Sequence, residues 1–177
     1  MRTALFPGTF DPITEGHLDI IRRGLKIFDR VIVAVARGVH KETLFSLEER
    51  KELVEASLAE ASPAEAEGAG PDWARDSVSV VEFDGLLVDL ADRMSVDVII
   101  RGLRFVSDFE YEFQLALMNR QLNRRVETMF LMPSARYSFL NASIVREVAR
   151  LGGDVSSLVP KPVADRLKER YHPGRPS

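Results

Sequence analysis

The sequence predicts an α/β fold: a doubly wound parallel sheet of about five strands with flanking helices. Two features carry that expectation. Short β-rich runs alternate with segments of helical spacing, the order from which parallel sheets with crossover helices are built. The centres of two strand candidates, Val31-Ile32-Val33-Ala34-Val35 and Val98-Ile99-Ile100, are apolar without interruption. Strands covered by helices on both faces read that way.

Candidate strands lie at 2–6, 30–36, 78–83, 96–101 and 127–132. Leu18, Ile21, Leu25 and Phe28 recur at i, i+3, i+7 and i+10 and set a helix over 15–28, with Thr14 as its N-cap. Ser46 with Glu49 forms a capping-box pattern for a helix over 46–60. A helix over 86–94 precedes the fourth strand. Ser107 with Glu110 is a second capping-box pattern, for a helix over 107–122. Helices over 142–151 and 162–171 follow, the last ending before His172-Pro173-Gly174. The order is Rossmann-like, with ligands expected beyond the carboxyl ends of the strands. The Pro, Gly and Ala content of 61–77 supports no strand or sustained helix. That segment reads as a surface-loop insertion in a single domain, 1–177, with Trp73 as a local anchor.

At 177 residues the chain is long enough for a sizeable core. It has no cysteine, which excludes a disulfide framework and a thiolate metal site. No signal-peptide pattern and no apolar run of bilayer length is present, so a cytoplasmic protein with no membrane partner is expected. The formal net charge of −3 argues against a nucleic-acid binder and requires any positive site to be local. There is no Ser–His–Asp order, H-E-x-x-H or Walker A sequence, so neither a covalent nucleophile nor a tightly held protein metal is indicated.

The richest stretch is Gly8-Thr9-Phe10-Asp11-Pro12-Ile13-Thr14-Glu15-Gly16-His17, where a strand turns into a helix. Free N–H groups and the macrodipole make a helix N-terminus attractive to phosphate. Gly8 and Gly16 are expected to let a ligand approach the backbone. Singly, these residues read as turn, cap and surface histidine; together they read as a phosphate site. Arg101-Gly102-Leu103-Arg104 ends an apolar strand and offers two guanidinium forks for phosphate oxygens. Tyr137-Ser138-Phe139-Leu140-Asn141-Ala142-Ser143 leads into another helix, with Asn141 as N-cap and free N–H groups behind it.

These motifs resemble a known family. Thr9 through His17 resembles the T-x-G-H form of the HIGH signature of adenylyl- and cytidylyltransferases. Phe6 to Thr14 with Gly16-His17 is similar to the bacterial phosphopantetheine adenylyltransferases. So are Phe45 with Leu47-Glu48-Glu49-Arg50, Ile100 to Arg104, Asp108-Phe109-Glu110-Tyr111-Glu112, Phe130 to Ser134, Ser138-Phe139 and Glu147 to Arg150. The resemblance covers nearly the whole chain except 61–77 and the last residues.

The resemblance implies transfer of AMP from ATP to 4′-phosphopantetheine by in-line attack, giving dephospho-coenzyme A and pyrophosphate. It implies that Thr9 and His17 face the triphosphate and the attacking phosphate, His17 stabilising the transition state. Lys41 and Arg101 would orient the pantetheine phosphate, and Leu87 would line the pantetheine arm. Phe10, Gly102, Leu103, Arg104, Glu112 and Tyr137, Ser138, Phe139, Leu140, Asn141, Ala142 and Ser143 would hold ATP. Mg2+ on the phosphates, a homohexamer and coenzyme A as feedback ligand are implied as well. The sequence departs from the family at 141–143, where a serine run is usual, and Arg146 stands where lysine is frequent. A nucleotidyltransferase for nicotinate mononucleotide or a polyol phosphate, and a non-catalytic nucleotide-binding module, are the alternatives.

Overall fold

Among the described residues five parallel strands form one sheet: β1 (Thr3–Gly8), β2 (Arg30–Ala36), β3 (Val78–Phe83), β4 (Val98–Gly102) and β5 (Glu127–Leu131), in the order β3-β2-β1-β4-β5. The structure is a computed structural model and describes residues 1–38, 42–61, 75–96, 98–104 and 106–173. Among the described residues six helices connect and follow the strands: α1 (Glu15–Leu25), α2 (Leu47–Glu60), α3 (Leu87–Arg93), α4 (Val106–Leu122), α5 (Ala142–Arg150) and α6 (Lys161–Tyr171). The α/β architecture expected from the alternation is the one observed.

The strands bury both faces. Ala4 and Phe6 of β1 and Val31, Val33 and Val35 of β2 share one cluster with α1, α2, α5 and α6. Leu5, Ile32 and Ala34, which point the other way, pack with Leu90 and Ala91 of α3 and with Val96, Ile99 and Val126. Period-2 side-chain alternation therefore divides one apolar run between two layers.

Most boundaries shift by one to three residues from the sequence expectation, and three of the shifts bear on the site or the core. β1 continues through Pro7 and Gly8, which pair with Ala34 and Val35 of β2 after pairing to β4 has ended at Leu5. α1 stops at Leu25, and Phe28 joins the core from the turn beyond it. α4 begins at Val106, so Ser107 lies inside its first turn and is not its N-cap. The other capping box is present: Ser46 Oγ accepts Glu49 N–H at 3.2 Å, and Glu49 Oε2 accepts Ser46 N–H at 2.9 Å. Most of the 61–77 segment, with Trp73, lies outside the described residues; its end, Arg75–Ser77, is a 3-10 turn. Among the described residues no helix is long and apolar enough to cross a membrane.

The sheet order reverses at β1. Its chain leaves toward β2 on one side, while β4 lies on the other. The crevice beyond the carboxyl ends of β1 and β4 is the switch point at which ligands bind in such sheets.

Candidate active site

The turn after β1 is built around Phe10. Its φ is +48°, in the left-handed region that costs a non-glycine residue of order 1 kcal/mol or more. The ring is 2% exposed and packs edge-on to Phe6 at 5.5 Å and to the His17 ring at 5.1 Å. A Cβ on residue 8 would lie 2.9 Å from that ring. The missing side chain of Gly8 thus admits the Phe10 ring, and Gly8 itself lines the cleft described next. At Gly16 an added Cβ meets nothing closer than 3.6 Å, an ordinary contact.

Phe10 seats His17, and the α1 N-terminus orients it. Thr14, extended at φ −129°, is the N-cap, and His17 occupies the third helical position, where a glutamate or glutamine commonly closes a capping box. His17 Nδ1 lies 3.0 Å from the Thr14 backbone nitrogen and 3.0 Å from Thr14 Oγ1. A backbone N–H can only donate, so Nδ1 accepts and carries no proton. The hydrogen of the neutral ring therefore sits on Nε2. Burial lowers the pKa of His17 from 6.5 to about 4, with Arg104 adding repulsion. At neutral pH His17 is an uncharged N–H donor.

Around it opens a cleft of about 350 Å³, lined on the β1 side by residues 6–11 and on the β4 side by Arg101, Gly102 and Arg104. Glu112 of α4 grips Arg101: its two oxygens accept Nε and Nη2, each at 2.6 Å, while Nη1 donates to the Pro7 carbonyl at 3.2 Å. Three of the five guanidinium N–H groups are thereby used, and two are left for a ligand. Arg104 donates to Asp108 at 3.2 Å and to the Leu140 carbonyl at 3.0 Å, bridging the β4 end to the segment before α5.

That segment closes the cleft. Asn141 caps α5, its Oδ1 accepting Ile144 N–H at 2.8 Å. The Ala142 and Ser143 N–H groups have no acceptor among the described residues, and both residues line the cleft. Such an end binds anions. On the far side Ser134 is tied to α1 by Asp19, which accepts Ser134 N–H at 2.7 Å and Oγ–H at 2.8 Å. Burial would raise the Asp19 pKa, but the bonds from Ser134 and Arg23 outweigh it and lower it.

Asp11 fixes the rim. Its carboxylate accepts Leu44 N–H at 2.8 Å and Phe45 N–H at 3.0 Å, and pairs with Arg146 at 3.1 Å; Arg146 also donates to the Asp11 carbonyl.

Residues 5–148 match the cytidylyltransferase-like family. The chain is 52% identical over 171 residues to a phosphopantetheine adenylyltransferase of Moorella thermoacetica, covering 97% of this chain and 98% of that one. It is 51% identical over 168 residues to one of Campylobacter jejuni, covering 95% and 98%. A third relative of that name, from Nitratidesulfovibrio vulgaris, is 49% identical over 170 residues, covering 96% and 84%. The chain belongs to the phosphopantetheine adenylyltransferase family. Two solved structures share the fold: a Plasmodium falciparum nicotinic acid mononucleotide adenylyltransferase with NaAD (TM-score 0.68, 13% identity, covering 96% of this chain and 95% of that one) and a putative nicotinate-nucleotide adenylyltransferase of Vibrio parahaemolyticus (TM-score 0.65, 17% identity, covering 99% and 98%).

Of the residues singled out in this family member, the cleft gathers Thr9, Phe10, His17, Arg101, Gly102, Arg104, Glu112, Tyr137, Leu140, Asn141, Ala142 and Ser143. Four others do not line it. Leu87, in the first turn of α3, packs on the second core cluster. Leu103 extends the sheet ladder, its N–H donating to the Leu131 carbonyl. Ser138 Oγ turns back to the Ala135 carbonyl, and Phe139 is exposed. Lys41 lies outside the described residues. The cleft also holds Asp11, Glu42, Thr43 and Arg146, which the sequence did not assign to it individually. Asp11 stood inside a recognised motif and Arg146 at a departure from the family; for Glu42 and Thr43 the sequence carried no signal.

Proposed function

We propose that the chain transfers the adenylyl group of ATP to 4′-phosphopantetheine, giving dephospho-coenzyme A and pyrophosphate. The observation that carries this reading is the neutral His17, held with Nε2–H as donor between two arginines and a free helix N-terminus, in a chain about half identical to enzymes of that name. A phosphate oxygen of the acceptor attacks the α-phosphorus in line as the bond to pyrophosphate breaks. The acceptor phosphate is already largely ionised at neutral pH, so no proton has to move. A histidine with a pKa near 4 suits such a step: it donates a hydrogen bond to the crowded phosphorus centre and stores no proton.

In this reading Thr9 and His17 face the reacting phosphates, and Lys41 and Arg101 orient the acceptor phosphate, with Leu87 toward the pantetheine arm. Phe10, Gly102, Leu103, Arg104, Glu112 and residues 137–143 hold ATP. Among the described residues no cluster of His, Asp and Glu is placed to hold a metal, and the cleft's side chains are rich in arginine. Magnesium is read as carried on the triphosphate, where it would neutralise charge. Coenzyme A, which shares the pantetheine arm, is read as a competing feedback ligand.

A homohexamer is part of the proposal. It is supported by α4, where Phe109, Tyr111, Phe113, Leu117, Met118 and Leu122 are each 45–64% exposed. So many exposed apolar side chains on one helix fit contact with further chains. Light scattering giving six chains supports it, and a monomer mass refutes it. The cytoplasm is the proposed location, with neither nucleic acid nor membrane as partner.

The deciding assay is pyrophosphate release from ATP with 4′-phosphopantetheine, set against nicotinate mononucleotide. Release with the first alone is expected. Release with nicotinate mononucleotide alone, or with neither, overturns the reading.

A further inference from the structure

Arg50 of α2 is 1% exposed, and it is a cation without a carboxylate partner in hydrogen-bond reach among the described residues. It bonds four backbone carbonyls instead. Nη1 donates to Thr9 at 2.6 Å and to Ala36 at 2.7 Å, Nη2 to Arg37 at 3.2 Å and Nε to Phe45 at 3.3 Å. Those carbonyls come from three segments: the turn after β1, the end of β2 and the entry to α2. Burying a charge this way is costly, and an apolar side chain on the same stripe of α2, with Leu47, Leu53, Val54 and Ser57, would bury more cheaply. The arrangement therefore calls for a reason beyond packing.

The reason lies in the Thr9–Phe10 peptide. Its carbonyl points at Arg50. Across a planar trans peptide the N–H runs antiparallel to the C=O, so the Phe10 N–H points away from Arg50. Phe10 lines the cleft, and its N–H has no acceptor among the described residues. A strained φ such as that of Phe10 persists only where the surroundings hold it, and the Arg50 bond to the Thr9 carbonyl is one such hold.

We propose that Arg50 is a positioning residue for the reaction: by drawing the Thr9 carbonyl inward it aims the Phe10 N–H at a phosphate group of the bound nucleotide. The inference deepens the adenylyl-transfer reading and rests on it for the identity of that phosphate.

Arg50→Lys and Arg50→Gln test it. Lysine keeps the charge, but a single ammonium cannot span four carbonyls. Each variant is assayed below its unfolding transition, checked by circular dichroism. Two readouts are taken: steady-state kinetics, and the amide 1H–15N shift of Phe10 on adding ATP. We expect kcat to fall roughly ten- to a hundredfold, the loss that slight misplacement of a reacting group produces. The KM for phosphopantetheine stays near the parent value, and the Phe10 amide response to ATP is lost. Parent-like kcat and amide response in the folded variants would assign Arg50 to stability alone and overturn the proposal. Failure of both variants to fold overturns it equally. Should the parent release no pyrophosphate, the reaction reading fails on its own, and the Phe10 amide response to ATP still decides the role of Arg50.

Discussion

Glu112 holds Arg101 by both carboxylate oxygens at 2.6 Å, inside the cleft and across the gap between α4 and β4. The pair is partly buried, with side chains 25% and 13% exposed. A carboxylate so occupied acts first on its arginine. Glu112→Gln keeps the shape and one acceptor but removes the charge. It should cost about 1–3 kcal/mol of stability, the range for a weakened charge-assisted bond. It should also raise the phosphopantetheine KM more than the ATP KM, because Arg101 loses its orientation. Steady-state kinetics with each substrate varied in turn make the check. A rise confined to ATP would show that Glu112 acts on the nucleotide alone and not through Arg101.

His17→Gln separates the two jobs of His17. Glutamine is a regular capping-box partner at the third helical position, so α1 should keep its cap. The ring Nε2–H is lost. We expect kcat to fall roughly a hundred- to a thousandfold, as for other lost charge-stabilising donors, with ATP affinity by calorimetry changing far less. Loss of ATP binding with turnover intact at saturation would exclude a transition-state role.

The same residue sets a pH dependence of stability. The unfolded chain takes up a proton on His17 near pH 6.5, whereas the folded chain refuses it until about pH 4. The stabilisation is therefore full above pH 6.5 and is lost as pH falls, by at most about 1.4 kcal/mol per pH unit. Urea midpoints at pH 7 and pH 5 should differ less in His17→Gln than in the parent. In 15N spectra of the parent, Nδ1 should stay unprotonated from pH 8 to pH 5. A ring that titrates near 6.5 would contradict the buried, Thr14-bound geometry.

Gly8 and Gly16 give opposite expectations. Gly8→Ala drives a methyl into the Phe10 ring and should destabilise by about 1–3 kcal/mol, as overpacking does; it should also impair activity by shifting the seat of His17. Gly16→Ala meets only ordinary contacts, and by helix propensity should gain up to about 1 kcal/mol. Melting curves decide: equal losses at both positions would show that Gly16 is also needed for close approach.

These glycines mark where sequence reading stops. The strands and helices were legible because apolar runs and helical spacing are local. The turn at Thr9 to His17 was legible as the start of a capped helix because its residue types are those of a helix N-terminus. The use of Gly8 was not, since it depends on a ring two residues on taking a positive φ. Arg50 carried a signal that went unread: it falls on the stripe of Leu47, Val54 and Ser57, where a cation has no business unless partnered. Asp11 lay within the motif, yet its bonds to Leu44, Phe45 and Arg146 join residues 33 to 135 positions apart. No local pattern encodes such contacts. Leu87 was assigned from resemblance, and its helix packs its side chain against the sheet.

Asn141 is the sharpest test of how the pyrophosphate end is built, because the serine run usual at 141–143 is here Asn141-Ala142-Ser143. The cap bond from Ile144 N–H to Asn141 Oδ1, at 2.8 Å, leaves the Ala142 and Ser143 N–H groups without an acceptor among the described residues, in two residues that line the cleft. The donors are backbone groups, so their presentation depends on the cap and not on hydroxyls. Asn141→Ser keeps a capping oxygen and should cost only a few tenths of a kcal/mol, with activity nearly unchanged. Asn141→Leu removes the cap. It should lose roughly 1 kcal/mol of stability and raise the ATP KM, because a frayed first turn no longer holds its N–H groups in place. Melting and ATP KM are measured for both variants. If Asn141→Leu melts and binds ATP like the parent, residue 141 neither caps nor organises this end, and the pyrophosphate must be held by Arg104 and Arg146 instead.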